Sequence, residues 1–172
     1  MAAMLGGAAV GTVLGALGGL LPFSARVAMA SILSLIAIAV GVLELGPRPW
    51  RVPQCDVETP QRWMNAGAIR WATLNGAALG VGATSRIGFW LWYAIPASAI
   101  LLGDPVSGAL VYGLYGLIRG GSVWAFLLLP TRLGMRGDHF GLWVVTHVEM
   151  SRIATAAQLI ALGMAVTIAV GL

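Results

Sequence analysis

The chain predicts an all-α integral membrane protein: a bundle of about five transmembrane helices, packed through glycine, with the third helix kinked or broken. Three observations carry this reading. Of the 172 residues, 59% are hydrophobic and 9% charged, and the mean hydropathy is +0.89. A soluble domain carries about 25% charged residues, so this chain lacks the polar surface to cover itself in water. Its 24 glycines suit helices that approach closely in lipid. Finally, most of its charges gather between long apolar runs, with Arg86 and Arg119 the arginines placed within them.

Residues 2–22 form the first predicted span, since about 20 apolar residues cross the hydrocarbon core. Gly11, Gly15 and Gly19 recur every four residues and predict a small-residue seam for close helix packing. The run has no positive start and no convincing cleavage site, so it reads as a retained span rather than a signal peptide. Residues 22–26, Pro-Phe-Ser-Ala-Arg, read as a turn, and residues 27–45 as the second span. Gly46-Pro47 then supplies a stop signal.

Residues 46–71 form a polar loop with four prolines, four arginines and Cys55, and Trp50 and Trp63 suit headgroup level. Residues 72–102 are too long for one plain span. Gly76, Gly80, Gly82, Thr84, Ser85 and Arg86 favour a break, which lipid tolerates only where it is buried or lines a cavity. Asp104-Pro105 caps the fourth span, 106–129, which Pro130 ends. Residues 130–152 form a second loop, whose stretch 140–148 either lies along the membrane surface or extends the next helix. Residues 153–172 are the fifth span. All 172 residues thus make one transmembrane domain.

Charge orients the bundle. Every basic residue is arginine. With five spans, Arg48, Arg51, Arg62, Arg70, Arg132, Arg136 and Arg152 fall on one side and Arg26 alone on the other. Positive charge marks the cytoplasmic side. The expected placement is a multi-pass cell (inner) membrane protein with its N-terminus cytoplasmic and its C-terminus outside. Arginines scattered between apolar runs form no nucleic-acid patch, so the expected partners are the lipid bilayer and further membrane subunits in a homo- or hetero-oligomer.

The candidate chemistry centres on membrane-embedded arginines. An arginine at a helix centre costs about 2.5–3.5 kcal/mol on insertion scales, so Arg86 needs a partner or a cavity. Beside a helix break, with Thr84 and Ser85 adding hydroxyl donors, it is an anion-attracting candidate; the alternative is a structural arginine that pairs with carbonyls. Arg119 lies about 22 Å along its helix from the Asp104 turn at ~1.5 Å per residue, near the cytoplasmic interface, where snorkelling is the simpler reading. Tyr93, Tyr112 and Tyr115, with Trp90 and Trp92, either line a pocket for an aromatic ligand or belong to the interfacial aromatic belt.

His139, His147 and Glu149 lack the register of a metal site, and no metal is expected. Cys55 alone makes no internal disulfide; it is a redox candidate only by exchange with a partner thiol. No nucleophile elbow, phosphate loop, dinucleotide fingerprint or carboxylate pair is present, so the chain leans away from enzymatic activity and names no cofactor.

The stretch GAALGVGATSR over residues 76–86, the proline-containing helix after it, and GDPVSGALVYGLYGLIRGG over residues 103–121 resemble the DsbD/CcdA-like transmembrane family. That family serves thiol–disulfide interchange and cytochrome c biogenesis and lies within a wider transporter group. The resemblance implies a transmembrane fold with broken helices and an electron-transfer role through a pair of embedded cysteines. The corresponding regions here, residues 21–26 and 83–86, hold no cysteine. The expectation is therefore a solute transporter, with an anionic solute facing Arg86, or an accessory subunit of a larger membrane complex. The alternative is thiol or electron transfer through Cys55 or a bound cofactor.

Overall fold

The computed structural model describes residues 1–46, 67–81, 89–132 and 147–171. Among these the protein is all-helical, with no strand. In chain order the helices are α1 (Ala2–Gly19), α2 (Phe23–Glu44), α3 (Ala68–Val81), α4 (Ala94–Leu102), α5 (Pro105–Arg132) and α6 (Val148–Val170). A 3-10 segment, Trp90–Tyr93, leads into α4. Ala2–Gly19, Phe23–Glu44 and Met150–Val170 are long and apolar enough to cross a membrane.

The interior is small and the exterior large. The buried apolar residues include Ala3, Ala78, Ala99 and Ala156, while Leu5, Leu17, Ile32, Leu35, Leu110, Ile118 and Ile168 are exposed. In water such an exterior would drive aggregation. In hydrocarbon it costs nothing, and helices associate instead through close backbone approach.

Two antiparallel pairs supply that approach. In the first, α1 lies along α5. A Cβ on Gly11 would overlap the Gly108 carbonyl, one on Gly15 the Asp104 carbonyl, and one on Gly116 the Ala3 carbonyl. The buried stripe of α1 is Ala3, Gly7, Gly11, Gly15 and Gly18. The predicted seam therefore holds at Gly11 and Gly15, and at Gly19, though exposed, a Cβ would still meet the Gly103 carbonyl at 2.9 Å. Steps of four overshoot a 3.6-residue turn, so a step of three to Gly18 returns the stripe to the interface. In the second pair α2 lies along α6, with Gly41 against Ala156 and Ile160, and Gly163 against Ser34 and Ile38. Consecutive in the chain, α1 and α2 are nevertheless not packed along their lengths. The segment Trp90–Leu102 bridges the two pairs, meeting α1 and α5 on one side and α2 and α6 on the other.

Helix ends follow local chemistry. Asp104 Oδ2 accepts the Ser107 N–H at 2.7 Å, and Pro105 occupies the first helical position, where its missing N–H is not needed. Gly103 ends α4 at φ +62°, a left-handed conformation that favours glycine. Pro96 cannot donate to a carbonyl four residues back, and the preceding turn is 3-10. Phe89 before it is extended, at φ −140° and ψ 139°.

Three boundaries differ from expectation. Helix α2 begins at Phe23, directly after Pro22, so Arg26 lies in its first turn rather than in a connecting turn. Helix α6 begins at Val148, which places Arg152 on the helix. Helix α5 passes Pro130 and ends at Arg132, since one proline in a last turn removes a single hydrogen bond. Of the break expected near residues 80–88, residues 80 and 81 lie in α3 and residues 82–88 lie outside the described residues.

Candidate functional site

Three helical stripes converge beside the bridging segment. On α6, Thr155, Leu159, Leu162 and Val166 follow the i, i+4, i+7, i+11 spacing of one face. On α2 the stripe is Ala30, Leu33, Ala37 and Val40. Trp90, Ala94, Ala97 and Leu101 form the third. They do not close on one another. An apolar cleft of about 200 Å³ remains between them, with Tyr93, Ser34 and Ser98 also on its wall.

A second cleft of about 460 Å³ lies against α5, lined by Phe89, Trp92, Ile95, Tyr115, Arg119 and Thr155. Ala94, Ser98 and Leu162 line both clefts, so the two adjoin. The second cleft carries the charge. Arg119 is half-buried and donates through Nη1 to the Tyr115 hydroxyl, four residues back and therefore on the same face of α5. Its guanidinium also stands 5.7 Å from the centroid of the Tyr115 ring. The same hydroxyl accepts the Trp92 indole N–H at 2.9 Å, which ties α5 to the bridging segment. Trp92 stacks edge-on against Tyr93 at 5.1 Å between centroids, and Tyr93 meets Trp90 at 5.8 Å. The cation thus ends a chain of aromatic contacts that reaches the apolar cleft.

Among the described residues the Arg119 guanidinium donates no other hydrogen bond, so the remaining N–H groups of its fork can serve a ligand. The pairing with Tyr115 replaces part of the hydration an arginine loses on burial, and cation–π contact adds to it. Chemically the arrangement is a fixed, half-buried positive charge at one end of an apolar, aromatic-walled cavity.

The predicted site residues divide. Tyr93, Tyr115 and Arg119 line the clefts. Tyr112 does not: it is 2% exposed, with its Cβ beside Gly11, and fills the α1–α5 interface. Its ring meets Tyr115 edge-on at 6.1 Å. Thr84, Ser85, Arg86 and Cys55 lie outside the described residues, as does His139. Arg86 is three residues before Phe89, which lines the charged cleft.

Two features escaped the sequence. Arg26 donates to the Leu102 carbonyl at 2.7 Å and to the Leu101 carbonyl at 3.4 Å, closing the C-terminal end of α4. Glu44 is 6% exposed. Its Oε2 is buried and has no hydrogen-bond partner among the described residues, while Arg152 donates to its backbone carbonyl and to that of Gly46. No local pattern marks either residue, because each depends on helices distant in sequence. Thr155 did carry a signal, as the one polar member of an inward stripe.

Comparison with protein-family models, with curated proteins and with solved structures found no match.

Proposed function

We propose that the protein is a multi-pass membrane transporter that binds a small organic anion in the Arg119 cleft. One observation carries the reading: a half-buried guanidinium, held by the Tyr115 hydroxyl, faces a cleft of about 460 Å³ whose other walls are mostly apolar and aromatic, with the hydroxyls of Ser98 and Thr155 among them. A charge kept at such a site at a cost of a few kcal/mol marks a ligand or ion path.

In this reading the chain crosses the membrane five times, with its N-terminus cytoplasmic and its two arginine-rich loops on the same side. It works as an oligomer, because one small bundle encloses little space. Anion binding is preferred to the thiol relay that the DsbD/CcdA resemblance implies, because the chain has one cysteine and that relay uses a pair. The test is uptake of labelled phosphate, acetate and benzoate into proteoliposomes. At least one anion should enter faster than into protein-free vesicles, and Arg119→Gln should slow it tenfold or more. No uptake of any anion, or equal uptake by the variant, overturns the proposal.

A further inference from the structure

The charged cleft and the apolar cleft are not separate sites. They share Ala94, Ser98 and Leu162, and the stripe on α6 runs through both, from Thr155 beside Arg119 to Val166 at the far end. Those two residues lie about 16 Å apart along the helix at ~1.5 Å per residue. That is about half of a hydrocarbon core ~30 Å thick, the depth of a single leaflet. The polarity is graded in the same direction. Arg119 stands at one end, the indole and tyrosine rings in the middle, and alanine, leucine and valine at the other.

From this continuity we infer that the anion is an amphiphile: an anionic phospholipid whose phosphate pairs with Arg119 and whose acyl chain lies in the cleft between α2, α4 and α6. The inference rests on the proposed anion site and names its substrate class. A planar guanidinium suits phosphate oxygens, which accept two parallel N–H bonds from it. The tail is recognised by shape and by the absence of polar partners. Ser34 and Ser98 on its wall turn their hydroxyls to backbone carbonyls, at 2.8 and 2.9 Å, and leave the channel apolar. In this reading the occupant would enter sideways from the leaflet that holds the Arg119 end of the cleft.

The test is native mass spectrometry of the detergent-purified full chain with three probes: dioleoyl phosphatidylglycerol, dioleoyl phosphatidylcholine and glycerol 1-phosphate. The protein should retain one phosphatidylglycerol per chain at least tenfold more readily than either phosphatidylcholine or glycerol phosphate at the same concentration. Arg119→Gln should erase the preference between the two lipids. Ala97→Phe and Ala37→Phe, two separate plugs of the tail channel, should each lower phosphatidylglycerol retention fivefold or more while the helical circular dichroism is kept. Equal retention of both lipids by the parent protein overturns the inference, as does unchanged retention in the plug variant that folds. Glycerol phosphate bound as tightly as the lipid, and untouched by the plugs, overturns the lipid while leaving the small-anion site standing. Binding of every probe without dependence on Arg119 overturns both.

Discussion

Gly103 answers two demands at once. Its φ of +62° lies in the left-handed region, and a Cβ there would also collide with the Arg26 guanidinium. Gly103→Ala should cost at least about 1–2 kcal/mol for the backbone alone, seen as a lower melting temperature in detergent. Paired with Arg26→Ala it should cost less than the two changes separately, because the collision disappears. Beside it, Asp104 is fully exposed and caps α5. The Ser107 backbone N–H, then its hydroxyl, hold its carboxyl below the ordinary aspartate value of 3.8. A depressed carboxylate contributes stability above its unfolded pKa and loses it as pH falls through the folded value. Melting temperature should therefore drop below about pH 3.8, and Asp104→Asn, which keeps an acceptor oxygen, should flatten that drop.

At the scale of elements, the two helix pairs differ in how they are held. Backbone against backbone closes the α1–α5 seam, so no side chain there can turn aside. Gly11→Leu should destabilise by about 1–3 kcal/mol or more, measured by denaturation in mixed micelles, whereas Val13→Leu on the exposed face should do almost nothing. The α2–α6 pair adds a polar clasp, Thr167 Oγ1 donating to Ser34 Oγ at 3.1 Å. A double-mutant cycle with Ser34→Ala and Thr167→Val should return a coupling near ~0.6 kcal/mol, the average for such bonds in lipid.

Much of this level was legible in sequence. The Gly103-Asp104-Pro105 junction reads from residue chemistry alone, and so do the apolar runs of α1, α2 and α6. Pairing was not legible. Glycine at four-residue spacing occurs in several helices and says that a helix packs closely, not against which neighbour. The start of α2 was misplaced by four residues because an arginine beside a proline reads as a turn, whereas here it reaches across to the carbonyls that end α4.

For the whole molecule, the distribution of arginine is the strongest lever. A reporter fused after Gly46 and one fused at the C-terminus should lie on opposite sides of the membrane, by activity of a folding-sensitive reporter such as alkaline phosphatase. The same side for both would remove the five-span arrangement. The candidate site was half legible: Tyr93, Tyr115 and Arg119 were named from sequence, and all three line the clefts. The cavities themselves were not, since they form where three stripes fail to meet and no single stripe records the gap.

The separation of α1 from α2 also bears on how the chain assembles. Helices usually find their neighbours in sequence first, because short loops cost little entropy to close. Here Ser34 waits for Thr167, 133 residues away, and the Glu44 carbonyl for Arg152, 108 residues away. During synthesis α2 therefore rests in lipid with its glycine face and Glu44 uncovered until α6 has emerged. A chain stopped before α6 would leave Glu44 and the glycine face of α2 without the contacts that α6 supplies.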